Sequence, residues 1–130
     1  MIVVDASAVV AMLLDEPERE AFFQRIGSGK AVISPVGYWE AAIRVGRHRG
    51  PPGLLELDTL MSDLGIAIAA ADDAIAKGAV DAELRFGKRT PASLNLGDCF
   101  AYALARELDA PLLYKGADFV RTDIVSALPV

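Results

Sequence analysis

Residues 1–8 read MIVVDASA: an apolar run, Ile2–Val4, then a lone aspartate, then alanine, serine and alanine. The run is apolar at successive positions rather than at every second one, as in a strand covered on both faces. A carboxylate at the end of such a strand is costly to hold away from water unless something pairs with it. The partner is a helix end, a cation of the protein, or a metal ion. The rest of the chain has to choose among them.

Three further runs share the pattern: Ala31–Ile33, Ile66–Ile68 and Leu112–Tyr114. Segments with helical punctuation lie between them. Pro17 suits the first turn of a helix through Phe22, Phe23 and Ile26 that stops at Gly27. Ser34-Pro35 opens a second, carrying Tyr38, Trp39, Glu40 and Ile43 towards Gly50-Pro51-Pro52. Gly53–Leu64 reads as a third, and Asp72 or Asp73 caps a fourth through Val80 and Leu84. Asn95 caps a fifth, with Leu96, Cys99, Phe100, Ala103 and Leu104 at core spacing. Alternating strands and helices predict an α/β fold, a central parallel sheet with helices on both faces. In such sheets ligands bind at the carboxyl ends of the strands, where Asp5 points.

The chain has 130 residues, 53% hydrophobic and 24% charged, which predicts one globular domain over 1–130 with a sizeable core. One cysteine, Cys99, rules out an intrachain disulfide and predicts a reducing, cytoplasmic setting. No basic segment precedes the first apolar run and Asp5 interrupts it, so neither a signal peptide nor a membrane span is expected. A formal charge of -5 argues against a broad basic face for nucleic acid. An acidic site nevertheless attracts phosphate once it holds metal. The single histidine, His48, lies among arginines in RVGRHRG, and Cys99 sits in a core-like helix. Paired-histidine RNA cleavage, a Cys/His nucleophile and His/Cys zinc sites are therefore excluded. With no GxxxxGK[ST] or GxGxxG stretch, carboxylate–metal chemistry remains, and phosphodiester hydrolysis is its commonest use.

Each candidate acid has an ordinary role beside the functional one. Asp5 reads equally as an N-cap, with Ala6, Ser7 and Ala8 keeping the junction open and the Ser7 hydroxyl able to hold a water. Glu40 in YWEAAIRVGRH pairs at i,i+4 with Arg44, yet its neighbours are nearly all apolar. Asp98 in NLGDCFAYALA answers Asn95 as in a capping box, in an alanine-rich helix with Gly97 allowing close approach. Asp118 in LLYKGADFVRTDI follows a strand and a glycine, where an Asx-turn explains it. Asp123 reads as a turn or cap. Together the first four can converge at one sheet edge, where packed carboxylates stay ionised only beside a cation. All-oxygen ligands favour Mg2+ or Mn2+ over zinc.

VVDASA, SPVGYWEAAIRVGR, LNLGDCFAYALA and LLYKGADFVRTDI, spread over essentially the whole chain, resemble the PIN-domain family and its VapC-type toxin ribonucleases. The resemblance implies a single Rossmann-like PIN domain and an endoribonuclease that cuts structured or transfer RNA. It implies a cognate antitoxin and a homodimer. The family's acids fall on Asp5, Glu40, Asp98 and Asp118, and Asp123 is similar to an additional acid of many members. Ala117 departs from the polar residue that relatives often carry before Asp118.

On this reading Asp5 and Asp98 ligate the metal, Mg2+ or Mn2+, most directly. Glu40 and Asp118 bind a second ion or orient water. Lys30, Arg44, Arg47, Arg49, Lys88, Arg89 and Lys115 are candidates to track the RNA backbone, with the Arg44–Arg49 cluster foremost. Phe22, Phe23 and the leucines of Gly53–Leu64 form either an antitoxin groove or plain core. Two alternatives stand beside this reading. A receiver-like phospho-signalling domain would want an acidic pair after strand one, where Asp5 is alone; the Asp72-Asp73 pair reads as a helix cap. A non-catalytic PIN-like binding module would have no use for four clustered acids.

Overall fold

The computed structural model describes residues 1–128. Four strands, β1 (Ile2–Val4), β2 (Ala31–Ile33), β3 (Ile66–Ile68) and β4 (Leu112–Leu113), form one sheet in the order β3-β2-β1-β4. Every neighbouring pair is parallel, with Ile2 opposite Ala31 and Val3 opposite Leu112. Six helices connect and cover them among the described residues: α1 (Ala6–Leu13), α2 (Arg19–Ile26), α3 (Pro35–Arg49), α4 (Pro51–Leu64), α5 (Asp73–Phe86) and α6 (Leu96–Glu107).

The central strand shows why both faces must be covered. Side chains alternate across a strand. Ile2 and Val4 enter a core built with α1 to α4, while Val3 enters a second core built with α5 and α6. All three are buried. The α/β architecture with a parallel sheet is thus the predicted one. β3 differs from expectation. It is the sheet edge, and only Ile66 is buried while Ala67 and Ile68 face solvent. The other edge is covered by the chain's own tail: the Leu112 N–H donates to the Val125 carbonyl at 2.9 Å, and the Ala127 N–H to the Leu112 carbonyl at 2.8 Å. Covering an edge in this way blocks pairing with another chain.

Local signals place most helix ends. Ser34 accepts from the Gly37 N–H at 2.9 Å to cap α3, and Pro35 occupies its first turn. α4 begins at Pro51 rather than Gly53, because prolines at the first helical positions lack only N–H groups that would be orphaned anyway. A Cβ on Gly53 would lie 2.9 Å from the Val45 carbonyl oxygen and from Arg49 Cβ, so glycine lets α4 fold tightly back on α3. The Tyr38 hydroxyl donates to Asp58 at 2.6 Å across the same pair. Phe22, one of the two groove candidates on α2, is buried core.

From β1 the chain adds β2 and β3 on one side and returns to place β4 on the other. The order therefore reverses between β1 and β4, the crevice where open α/β sheets bind ligands. Asp5 closes β1 there, and the segment after Leu113 enters the same crevice.

Candidate active site at the sheet's switch point

Asp5 caps α1. Its Oδ2 accepts from the Ser7 N–H at 3.1 Å and from the Ser7 hydroxyl at 2.6 Å. The Ser7 Oγ in turn accepts from the Lys115 N–H at 2.9 Å. The Asp5 N–H reaches the Leu113 carbonyl at 2.8 Å. Ser7 therefore joins the ends of β1 and β4 and fixes the Asp5 carboxylate. Asp5 is only 8% exposed. Burial holds its pKa above the ordinary value, the two Ser7 hydrogen bonds oppose that, and the charge of Asp118 adds to it.

Asp98 closes a capping box at the start of α6. Its N–H donates to Asn95 Oδ1 at 2.8 Å, and its Oδ2 accepts from the Asn95 N–H at 3.1 Å. It too is buried. Burial, against the Asn95 hydrogen bond and with the charges of Asp5, Asp118 and Glu40, raises its pKa from 3.8 to about 7.

Glu40 reaches the same place from α3. Its carboxylate lies over Gly97, where a Cβ would overlap Oε1 and the carboxyl carbon and stand 2.8 Å from Oε2. Burial raises its pKa, Asp5 raises it further, and Arg44 lowers it. Asp118 is exposed on the loop after β4, and its charge acts on both Asp5 and Asp98.

The four predicted acids thus come from four separate segments, with the charges of Asp5, Glu40 and Asp118 all acting on Asp98. None takes part in an ion pair within 4.0 Å among the described residues, whereas Asp15, Glu16, Glu18, Glu56, Asp81 and Asp123 do. The donor set is entirely carboxylate oxygen, the kind that Mg2+ and Mn2+ accept. In that respect the residues fit a divalent cation. As placed, no three His, Cys, Asp or Glu side chains among the described residues form a ready coordination cluster.

Asp123 is held by a separate set of partners. It accepts from the Tyr102 hydroxyl at 2.5 Å and from Arg85 at 3.1 Å, with Arg106 at 3.7 Å. These partners, Tyr102 first, hold its pKa below the ordinary value. Sequence gave no sign of this network, because its members are far apart along the chain. Of the predicted RNA-contacting cations, the Lys115 ammonium is engaged by Glu16 at 3.2 Å and Glu18 at 3.4 Å. Arg49 is engaged by Glu56. Arg44 and Arg47 are exposed on α3, outside any ion pair among the described residues.

The PIN domain family model matches residues 2–125. Over 130 residues the chain is 41% identical to Ribonuclease VapC30 of Mycobacterium tuberculosis, covering 98% of this chain and 99% of that one. Over 126 residues it is 40% identical to Ribonuclease VapC of Mycolicibacterium smegmatis, covering 95% and 98%. Its fold is similar to that of Mycobacterium tuberculosis VapC20, described as a sarcin–ricin loop cleaving toxin, with a TM-score of 0.78 at 14% identity over 99% and 100% of the two chains. It is also similar to a chain of a toxin–antitoxin complex from Klebsiella pneumoniae, with a TM-score of 0.74 at 16% identity over 100% of each chain.

Proposed function

The chain belongs to the PIN domain family, in its VapC group, and on that premise we propose that it is a metal-dependent endoribonuclease, the toxin of a toxin–antitoxin pair. One observation carries the mechanism. Burial first, and then the charge of a neighbouring acid, raises the pKa of Asp5, Asp98 and Glu40, none of which forms an ion pair among the described residues, at the crevice where this fold binds ligands. A divalent cation is the group that relieves such a cluster.

Asp5 and Asp98 would hold Mg2+, with Mn2+ able to substitute, because both are fixed by hydrogen bonds that leave carboxylate oxygen available. Glu40 and Asp118 would complete the site. When bound, the ion supplies Lewis acidity towards a phosphate and makes water more acidic. Ser7 keeps Asp5 aimed into the crevice. Glu40, half-buried over Gly97, orients water or takes its proton. Arg44 and Arg47 meet the RNA backbone on the α3 side of the site.

The partners follow from the same premise: RNA, transfer RNA included, as substrate; a cognate antitoxin; and a second copy in a homodimer. The expected compartment is the cytoplasm. Among the described residues no helix is long and apolar enough to cross a membrane. The receiver-like alternative loses ground here, since Asp72 is occupied as the α5 cap, accepting from the Ile75 N–H at 3.1 Å.

The test is cleavage of a labelled RNA pool that includes transfer RNA, with Mg2+ or Mn2+, then with EDTA, alongside Asp98→Asn. Cutting that needs metal and is lost in the variant supports the reading. A wild-type protein that binds RNA and never cuts it would make the chain a binding module instead.

A further inference from the structure

The chain's one tryptophan, Trp39, is 61% exposed and directly precedes Glu40 on α3. A lone exposed apolar residue is ordinary. The company that Trp39 keeps is not. Residues three and four apart share a helix face, so Glu40, Arg44 and Arg47 form one row along α3, and Trp39 and Ile43 form the row beside it. A basic row and an apolar row thus run side by side away from the acidic cluster. Two other predicted cations, Arg49 and Lys115, are already engaged by acids, whereas Arg44 and Arg47 are exposed and in no ion pair among the described residues. Across the site, Leu96 is 68% exposed and immediately precedes Gly97, on which the Glu40 carboxylate lies.

We infer that Trp39 is a stacking platform for an unpaired base of the RNA at the acidic site, with Arg44 and Arg47 on the adjoining phosphates. The inference rests on the ribonuclease reading above and adds a specificity to it. An indole offers a flat face to any base, and guanidinium groups one and two turns along match a phosphodiester chain. A paired and stacked base has no free face to offer, so the preferred substrate is single-stranded or has a base splayed out beside the cut. A protein partner suits this face poorly, because charged side chains divide its apolar area. Exposed apolar side chains away from this face include Val80 and Leu84 on α5.

Because Trp39 is the only tryptophan, fluorescence excited beyond the tyrosine absorption edge reports on it alone. The intact protein in EDTA is titrated with a single-stranded RNA of roughly ten nucleotides, then with the same strand in a duplex. Saturable quenching by the single strand and weak quenching by the duplex are expected. With Mg2+, Trp39→Ala should raise KM for the cleaved strand by about 5- to 100-fold, the effect of losing one stacked base, and Trp39→Phe should recover most of it. Melting temperature stays that of the wild type, since the side chain is exposed. Cleavage with neither quenching nor a change in KM overturns the stacking and leaves the ribonuclease reading standing, as does equal quenching by the duplex. Quenching without cleavage keeps the stacking and overturns the ribonuclease reading.

Discussion

Gly97→Ala separates the position of Glu40 from the stability of the fold. Gly97 lies in the first turn of α6, where alanine in place of glycine ordinarily stabilises a helix by roughly 0.8–1 kcal/mol. The added methyl would occupy the space of the Glu40 carboxylate, overlapping Oε1 and standing 2.8 Å from Oε2. The obstacle is the far end of a flexible, half-exposed side chain, so it moves aside at about 0.5–1.5 kcal/mol, the scale of one poor rotamer. The two effects nearly cancel, and the melting temperature should stay within a few degrees of wild type. Activity should not survive as well. Misplacing a reacting group by an ångström costs about 100-fold, and Glu40 has to move further than that. Scanning calorimetry and kcat/KM on a cleaved RNA measure the two sides. Gly46→Ala is the control: its Cβ would meet only Leu54, at 3.5 Å, so it should add the helix increment and leave cleavage alone. Full activity in a Gly97→Ala protein stabilised by the whole increment would show that Glu40 is not needed over α6.

Three more outcomes follow from the charge environment. The folded pKa of Asp98 is about 7 against an ordinary 3.8, so between those values the folded chain holds a proton that the unfolded chain has released. In chelator, stability should therefore fall as pH rises from about 4 to 7, by a few kcal/mol at most at about 1.4 kcal/mol per pH unit. Melting at pH 5 and pH 8 with EDTA checks the slope, which Asp98→Asn should flatten and Mg2+ should offset at the higher pH. Burial first, and then the Glu83 charge, push the Cys99 thiol up to about 11. A thiol reagent at pH 8 should label it only as fast as the chain opens, and rapid labelling of folded protein would contradict its burial. Tyr102→Phe removes the hydroxyl that holds exposed Asp123, which keeps Arg85 and Arg106, and should cost about 0.5–1.5 kcal/mol of stability while cleavage is retained. A cleavage loss equal to that of Asp98→Asn would assign Asp123 to the site.

Strand cores and helix caps were legible because they are local. β1, β2 and β3 begin and end where their apolar runs do. β4 stops one residue short of its run, since Tyr114 leaves the sheet to pack on Phe119 with ring centroids 5.0 Å apart. Apolar periodicity cannot tell a central strand from an edge, which is why Ala67 and Ile68 are exposed in a run that reads as covered. The candidate site divides in the same way. Each acid stood out as a lone charge among apolar neighbours, a local oddity that survives without any knowledge of the fold. Which acids meet is a matter of topology. Asp5, Asp98 and Asp118 meet because the sheet reverses between β1 and β4, and Glu40 joins because Gly97 leaves room for it.

Partners distant in sequence escaped the reading for the same reason. Arg85 and Tyr102 claim Asp123, and Glu16 and Glu18 claim Lys115, across separations that no spacing rule spans. The contrast is itself informative about the cluster. This chain can place basic side chains against its acids, and it does so for Asp123 with Arg85 and Arg106. At Asp5 and Asp98, where burial makes an uncompensated charge most costly, it supplies hydrogen bonds from Ser7 and Asn95 and no basic side chain in contact. Hydrogen bonds fix a carboxylate in place without neutralising it.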